Sequence, residues 1–394
     1  MGTETAVSGN SPEMYLSYNG RQYGLDDKDS GALLAECYKD RMRFSPERNR
    51  WYCNDDGTWR ADPQGIQAME FAKEYAATAM LLAMTNTDAG KKAALMEYAE
   101  MWKSRPYRER ILKESAGIHP VSMSEFDSNP YLLNLKNGVL DLRRGCFRPR
   151  LSGDMCTKTG GAEYHADADC PLFAKLVYEL AKGDAECILF IKKTLAYAMT
   201  GDRRCNRIFI FEAAGGDCRG RDIFLEVIAA LMGDYFCQVK LTRQMEENLL
   251  DGCGYYKSIS QLAGARFVDI LGADKSVELS SALVTGLTRT GSLTVQYPGL
   301  NDVTVPVCFK AFISSPLTVY GSAGGLNPDK VNVIPISGIS GDYAKLRAEL
   351  LKPESLSGIL NWILRGFSSL WADGLNPPEV VVKATEQLIR KPAA

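Results

Sequence analysis

The amino-acid sequence predicts an α/β protein in which a mostly helical N-terminal module precedes a three-layer α/β domain and a C-terminal helical segment. Three observations predict this class. Apolar residues recur at helical spacing from residue 67 to residue 116, strand-like runs alternate with helical ones from 205 to 335, and helical spacing returns from 344 to 391. Buried strands that alternate with helices are typical of a parallel sheet with helices on both faces.

The composition limits the classes of protein to be considered. The 46 lysines and arginines are balanced by 48 aspartates and glutamates, so a contact with DNA requires a local basic patch. The 11 cysteines occur singly, without a CxxC pair, which favours free thiols and a cytoplasmic location. No apolar stretch reaches the ~18 residues of a membrane span, so no membrane partner is expected. The two histidines are too few for a histidine-rich metal site.

The N-terminal part is predicted to contain helices and two hairpins. Helices are expected at 67–84, 91–104 and 107–116. Asp56-Gly57 and Asn137-Gly138 each lie between strand-like segments and are typical of hairpin turns. The chain is therefore divided into a flexible leader (1–28), a helical and hairpin module (29–165), an α/β domain (166–340) and C-terminal helices (341–394).

The α/β domain contains a glycine-rich turn between a strand and a helix. Strands are predicted at 207–213, 265–271, 292–298, 303–315 and 330–337, and helices at 222–232 and 277–287. Between the first strand and the first helix stands GGDCRGRD (215–222). A turn of this kind binds phosphate because backbone N–H groups and a helix N-terminus point at the anion. The candidate nucleotide-binding residues are Gly215, Gly216, Gly220, Arg221 and Asp222.

Several blocks of the sequence carry a family resemblance. They are RWYCNDDGTWRADP (50–63), EFDSNPYLLNLKNGVLDLRRGCFRP (125–149), LAYAMTGD (195–202), LAGARFVDI (262–270) and SGILNWILRGFSSLWADG (357–374). In this order they resemble the helicase part of phage and plasmid primase-helicases, the poxvirus-type branch of helicase superfamily three. The resemblance extends from about residue 35 to residue 390. It implies a P-loop AAA+-like ATPase domain that uses ATP and Mg²⁺, forms a homo-oligomeric, hexameric ring around DNA and works with other replication proteins.

The phosphate loop departs from the pattern of this family. Arg221 stands where the family has lysine; it keeps the positive charge, but its planar guanidinium is no simple substitute for a compact ammonium. Asp222 stands where a serine or threonine hydroxyl normally joins the Mg²⁺ shell. Its carboxylate could hold a metal, yet it also places negative charge beside phosphates. An ordinary helix-start residue is the other interpretation of Asp222.

The remaining catalytic positions that the resemblance implies are also altered. Gly272 stands at the position of the acid that orients the attacking water, and Asp274 could serve only after a slip of the alignment. Pro316 replaces an asparagine that senses the γ-phosphate, for which Ser315 could partly substitute. Lys330 is the only cation in the segment that should carry an arginine finger. Thr285 and Gln296 stand where further cations are expected, so these departures predict a domain that kept its fold and lost hydrolysis.

Four arginines, Arg143, Arg144, Arg148 and Arg150, cluster on the second predicted hairpin. They are the candidate DNA-binding residues, although a solvated hairpin edge explains them equally well. The five tryptophans, Trp371 among them, are expected in the core.

Three functions remain open from the sequence. The first is a replication-associated, helicase-like protein of a phage, plasmid or similar element that hydrolyses ATP poorly or not at all. The second is an active ring helicase in which Arg221, Asp222, Asp274 and Lys330 act as substitutes. The third is a helicase-derived interaction subunit that regulates a partner.

Overall fold

The computed structural model describes residues 15–213, 217–255, 259–272, 277–315, 317–319 and 326–390. The chain divides into two compact units, which are considered separately. The first comprises Met1–Phe126 and Leu151–Met155, and the second comprises Asp127–Arg150 and Cys156–Ala394. The domain boundaries at residues 165 and 340 stay a prediction.

The first unit opens with a hairpin of β1 (Leu16–Tyr18) and β2 (Arg21–Tyr23). Asn19 and Gly20 at its turn both have positive φ, as a tight hairpin turn requires. Leu16 and Tyr23 are buried, which explains why this part of the predicted flexible leader is held in a hairpin. Helix α1 (Asp27–Tyr38) follows, and the side chain of Asp26 caps it by accepting the N–H of Asp29.

A three-stranded antiparallel sheet and three helices complete the first unit. The strands are β3 (Met42–Ser45), β4 (Arg50–Asp55) and β5 (Thr58–Ala61), and the turn between the last two is the predicted Asp56-Gly57. The helices are α2 (Ile66–Thr85), α3 (Ala89–Lys103) and α4 (Arg105–Ser115), which confirm the three predicted segments to within two residues. Trp102 is fully buried among them.

The second unit begins with the other predicted hairpin. Strands β6 (Leu132–Leu135), β7 (Gly138–Asp141) and β8 (Cys146–Arg148) form an antiparallel sheet. Helices α5 (Pro171–Leu180) and α6 (Ala185–Met199) lead to the main sheet.

The main sheet is parallel, as the sequence predicts, and has five strands; the sequence does not predict the strand at 236–241, and the predicted strand at 292–298 lies in a separate sheet. In spatial order the five strands are β10 (Phe236–Leu241), β12 (Phe267–Gly272), β16 (Lys310–Ile313), β9 (Ile208–Ala213) and β18 (Val331–Ile336). Because all five run in one direction, they share two edges. The strands begin at the edge called here the amino edge and end at the carboxyl edge.

Smaller elements lie between these strands. They are α7 (Arg219–Met232), α8 (Arg243–Asp251), β11 (Cys253–Tyr255), β13 (Val277–Leu279), α9 (Ser281–Leu287), β14 (Ser292–Gln296), β15 (Val303–Pro306) and β17 (Leu317–Val319). The segment 303–315, predicted as one strand, forms two. β15 pairs antiparallel with β14 in a separate sheet and ends at Pro306, which has no N–H for a further ladder bond, and β16 then enters the main sheet.

The C-terminal part is helical as predicted. Its helices are α10 (Tyr343–Leu350), α11 (Pro353–Leu364), α12 (Gly366–Asp373) and α13 (Glu379–Arg390). Helix α13 covers the strand β18 at one side of the sheet, where the Val333 N–H donates to Thr385 Oγ1 at 3.0 Å.

Phenylalanines from adjacent strands stack on one face of the main sheet. The rings of Phe267 and Phe312 lie 3.7 Å apart between centroids, and Phe209 lies 5.1 Å from Phe312. Phe211 continues the row towards Phe224 of α7, at 5.4 Å. This phenylalanine row belongs to the largest hydrophobic cluster of the unit and joins the sheet to its helical layer.

Candidate nucleotide and nucleic-acid sites

The predicted nucleotide site falls at the carboxyl edge, between the end of β9 and the start of α7. Gly215 and Gly216 lie outside the described residues, as do Asp274 and Pro316. Gly220 is buried in the first turn of α7, where a Cβ atom would lie 3.0 Å from Ile339 and 3.1 Å from Leu180. The absence of a side chain at Gly220 therefore permits close packing of the helix start.

Asp217 occupies the approach to the N-terminus of α7. Its carboxylate accepts the backbone N–H of Arg219 at 3.2 Å and the guanidinium of the same residue at 3.0 and 3.1 Å. The guanidinium also lies 4.2 Å from the ring centroid of Tyr343. The hydrogen bonds with Arg219 lower the pKa of Asp217. The Asp217 carboxylate therefore occupies the positive end of the helix dipole, where a phosphate would otherwise be favoured.

Arg221 and Asp222, the altered loop residues, pair with each other. The Arg221 Nε and Nη2 donate to one carboxylate oxygen of Asp222 at 3.2 and 3.1 Å. The Arg221 side chain is 11% exposed, whereas that of Asp222 is 62% exposed. Arg221, which stands at the lysine position of the family, is therefore bound to Asp222, which stands at the metal-ligand position.

Asp269 is a buried acid near this edge. From the sequence it is expected only to be part of a strand. The Ser314 hydroxyl donates to one of its oxygens at 2.8 Å, and the Gln238 amide donates to the other at 3.0 Å. Burial raises the pKa of Asp269, while these two hydrogen bonds and the nearby charge of Arg221 lower it. An aspartate inside the otherwise apolar run ARFVDI was the signal that could have identified it.

Gly272 lies at the end of β12, where the resemblance places the catalytic acid. Its N–H donates to the Ser315 hydroxyl oxygen at 3.2 Å. The structure therefore brings Ser315, Arg221 and Asp269 to the carboxyl edge.

Lys330 lies at the opposite edge. It immediately precedes β18, and the pairing of Val331 with Ile208 places it level with the start of β9. Six strand residues at ~3.3 Å each separate the two edges by about 20 Å. Within one chain, Lys330 does not join Arg221 and Asp222, the substitutes that the structure describes at the carboxyl edge.

Three further cations lie at the amino edge, and backbone carbonyls bind each of them: Arg266 and Lys310 are buried, and Arg203 is half-buried. Arg266 donates to the Met199 and Leu132 carbonyls at 2.6 and 2.7 Å. The Arg203 guanidinium donates to the carbonyls of Phe309, Leu287 and Arg289, the last at 2.7 Å.

Lys310 is the third of these cations and is fully buried. Its ammonium donates to the carbonyls of Thr200 and Cys308. Burial lowers the pKa of Lys310 well below its usual value, and the charges of Arg266 and Arg203 lower it further.

The four predicted DNA-binding arginines have different surroundings. Arg150 is bound to the turn of its own hairpin, since its guanidinium donates to the carbonyls of Leu135 and Lys136. Arg148 donates to the Pro149 carbonyl at 3.0 Å. Arg143 and Arg144 are exposed on the turn between β7 and β8.

Arg143 belongs to a row of cations and aromatic rings at the surface of the second unit. It lies 5.5 Å from the Tyr131 centroid, which is 6.1 Å from that of Trp371, and Arg204 lies 5.2 Å from the Trp371 centroid. Arg204 also pairs with Asp202 at 2.5 Å. Trp371 is 39% exposed, so the expectation that it lies in the core is wrong. Helix α12 is amphipathic, and it buries Phe367 and Leu370 instead.

Other features bear on partners and cofactors. No helix in the described part of the chain is long and apolar enough to cross a membrane. The described residues contain no group of three or more histidines, cysteines, aspartates and glutamates that could hold a metal ion. All 11 cysteines are free thiols.

Comparison with known proteins gives a family match and a structural match. Residues 31–181 match the family model described as "D5 N terminal like". No curated protein sequence matches the chain. The A-form apo structure of the NrS-1 C-terminal region has a TM-score of 0.51 at 10% identity, over 91% of this chain and 74% of that one. Another apo structure of that region has a TM-score of 0.53 at 11% identity, over 92% and 76%. The chain therefore contains a D5_N-like region and shares the fold of that C-terminal region.

Proposed function

We propose that this protein is a replication-associated, helicase-like protein of a phage, plasmid or other mobile element, and that it hydrolyses ATP weakly or not at all. The D5_N-like match and the fold similarity support the helicase relationship. Assignment to the poxvirus-type branch of superfamily three, the P-loop AAA+-like layout and assembly into a hexameric ring belong to the same proposal and rest on the resemblance of the sequence blocks. A cytoplasmic location is also proposed, and it rests on the 11 cysteines, which occur singly in the sequence.

One observation supports the loss of hydrolysis most strongly. At the carboxyl edge, the charged side chains are bound to one another: Asp217 to Arg219, and Arg221 to Asp222. A transition state with developing negative charge is stabilised by donors that are oriented towards it in advance. Arg221 would have to leave Asp222 to act as such a donor, and Asp222 would have to leave Arg221 to bind Mg²⁺. These residues do not fit an ATP–Mg²⁺ complex as they stand.

The test is DNA-stimulated ATP hydrolysis by the pure protein, with Arg221→Ala as the control variant. We expect no turnover above background in either protein. Turnover that Arg221→Ala abolishes would contradict the proposal. Nucleotide-induced thermal stabilisation then distinguishes binding from hydrolysis, because a ligand at 100 times its Kd adds ~2.7 kcal/mol to the free energy of unfolding.

A second candidate, an active helicase with a variant loop, is favoured by Asp269. This buried carboxyl group lies close enough to Arg221 and Asp222 for their charges to affect its pKa. It would supply the acid that Gly272 lacks. If ATP is hydrolysed, Asp269→Asn should abolish turnover, whereas Asp251→Asn, at an exposed position in α8, should not.

We further propose that the row of Arg143, Tyr131, Trp371 and Arg204 contacts DNA. Exposed aromatic rings stack on bases, and arginines beside them bind phosphates. Trp371→Ala and Arg143→Ala should each weaken binding of a single-stranded DNA oligonucleotide, measured by fluorescence anisotropy. Arg243→Ala removes a highly exposed arginine elsewhere and should leave binding unchanged.

Ring formation is tested by measuring particle mass with and without DNA. A hexamer in either condition agrees with the proposal. A monomer in both, together with no DNA binding, would favour the third function, a helicase-derived interaction subunit.

A further inference from the structure

A cavity of about 490 Å³ lies at the amino edge of the main sheet. Residues that line it come from the segments before β9 and β18 and from the end of α9: Asn206, Thr285, Thr288, Arg289, Asn327 and Lys330. None of the described residues that line it is acidic. Its volume falls within the ~300–1,000 Å³ of typical small-molecule sites.

Two cations line this cavity, and the fold positions both. Asn327 accepts the N–H of Asp329 at 2.9 Å and so fixes the short turn that carries Lys330. Among the described residues, no carboxylate lies within ion-pair distance of Lys330. The Lys330 ammonium is therefore available to an anion.

Arg289 is held from two sides. Its guanidinium donates to the Leu250 carbonyl at 2.7 Å. It lies against Gly252, where a Cβ atom would be only 2.3 Å from the guanidinium carbon. Gly252 also has a positive φ of 70°, so any larger residue there would be strained and would displace Arg289.

Residues that line the cavity also carry hydrogen-bond acceptors. Asn206 Oδ1 is buried and has no hydrogen-bond partner among the described residues. The hydroxyls of Thr285 and Thr288 each donate to a carbonyl of α9 at 2.7 Å, so their oxygens remain able to accept. A buried acceptor without a donor costs free energy, and a ligand that carries hydroxyl groups would recover it.

We infer that this cavity binds a phosphorylated ribose unit. Lys330 and Arg289 hold the phosphate, and Asn206 Oδ1 accepts a hydrogen bond from a sugar hydroxyl. None of the described residues that line the cavity is aromatic and could stack on a base, so recognition is of the sugar phosphate rather than of a particular base. The unit belongs either to a free nucleotide or to an RNA strand. The site is separate from the carboxyl edge and does not depend on ATP hydrolysis.

The first experiment measures the affinity of AMP and of ribose 5-phosphate by titration calorimetry on the full chain. Lys330→Gln should weaken both at least tenfold, whereas Lys345→Gln, which removes an exposed lysine of α10, should change neither. A loss of affinity in Lys330→Gln separates the cavity from the carboxyl edge, because Lys330 lies at the amino edge. Equal affinity of AMP for the wild type and Lys330→Gln would overturn the inference.

The second experiment tests the acceptor and the source of the unit. Asn206→Ala should weaken ribose 5-phosphate at least fivefold and leave inorganic phosphate unchanged; an equal loss for both would contradict the role of Asn206. A ten-nucleotide RNA that binds more tightly than AMP, with the same dependence on Lys330, identifies a strand as the source. An RNA that binds more weakly than AMP identifies a free nucleotide.

A chemical readout avoids dependence on the folding of the variants. An amine-acylating reagent should modify Lys330 in the wild type, and saturating AMP should protect it, as read by mass spectrometry of peptides. Lys345 serves as the unprotected internal control. Modification of Lys330 at the same rate with and without AMP would overturn the inference.

Discussion

The cations at the two edges of the main sheet have different hydrogen-bond partners. At the carboxyl edge, Arg219 pairs with Asp217 and Arg221 pairs with Asp222, both close to their partners in sequence. At the amino edge, Arg266 and Lys310 are buried and bound by backbone carbonyls instead. Carbonyl dipoles satisfy hydrogen-bond donors without cancelling their charge.

The difference bears on where an anion can bind. Among the described residues of the carboxyl edge, Arg219 and Arg221 have carboxylate partners, so a phosphate that binds either arginine must displace a carboxylate. At the amino edge, carbonyls bind Arg266 and Lys310, and among the described residues no carboxylate lies within ion-pair distance of Lys330. We therefore expect phosphate to bind less readily at the edge where the resemblance predicts a nucleotide than at the edge about 20 Å away.

The largest expected effect concerns the buried cations of the amino edge. Arg266→Met should lower the free energy of unfolding by about 3 kcal/mol, because the carbonyls of Met199 and Leu132 lose their donors and each unsatisfied acceptor costs ~1–3 kcal/mol. Urea unfolding measures the change. Arg144→Ala, an exposed control on the β7–β8 turn, should stay within ~0.5 kcal/mol of the wild type. A loss below 1 kcal/mol for Arg266→Met would mean that the carbonyls have other partners.

The second prediction concerns the pH dependence of the same edge. The pKa of Lys310 is lower in the folded state than its ordinary value of 10.5, so the unfolded chain binds the additional proton. Stability should therefore fall as pH is lowered from about 10.5 towards the folded-state pKa, by up to ~1.4 kcal/mol per pH unit. In Lys310→Met, the unfolding free energy should no longer show this dependence on pH. The lost hydrogen bonds lower its stability by the same amount at every pH. Parallel curves of unfolding free energy from pH 7 to 10 would contradict the assignment.

The third prediction makes the carboxyl edge more like the amino edge. Asp217→Asn removes the negative charge beside the N-terminus of α7 while it keeps the shape of the side chain. Affinity for ATP should increase severalfold, because the carboxylate charge no longer repels the phosphates. Equilibrium dialysis with labelled ATP measures it. Asp251→Asn removes an exposed carboxylate of α8 and should not change the affinity for ATP. An equal increase in affinity in this control would show that only the net charge of the protein matters.

The smallest effect is expected at Asp269. Burial raises the pKa of this carboxyl group above 3.8, so its contribution to stability is complete below that pH and is lost as pH rises through the folded-state pKa. Asp269→Asn should therefore be more favourable relative to the wild type at pH 7 than at pH 4. This contribution to stability falls as pH rises, whereas the contribution of Lys310 falls as pH is lowered. Thermal unfolding at the two pH values checks it, and a difference that shrinks towards pH 7 would contradict it.

Much of the fold could be predicted because its elements are long and periodic. Helices α2, α3 and α4 and the strands β9, β12 and β18 follow from hydrophobic spacing, and Asp56-Gly57 and Asn137-Gly138 from turn chemistry. The hairpin at Asn19-Gly20 has the same turn chemistry, but its strands of three residues are too short for a periodic pattern.

The site was harder to predict because it depends on contacts between distant residues. Arg221 and Asp222 are neighbours in sequence, but their residue types do not reveal whether they bind each other or a ligand. Asp269 receives its donors from Ser314 and Gln238, 45 and 31 residues away. Lys330 could be placed at the amino edge only once the parallel register of β18 with β9 was known.

The phenylalanine row provides an optical signal of the state of the sheet. Near-ultraviolet circular dichroism arises from aromatic rings in fixed packing and disappears when that packing loosens, even where backbone structure persists. Phe209 and Phe312 come from adjacent strands, so their stacking is lost if those strands separate. An ellipticity band in the phenylalanine region would therefore report opening of the central strands in the unlabelled protein. Ligands that bind at either edge could be ranked by the temperature at which this band vanishes.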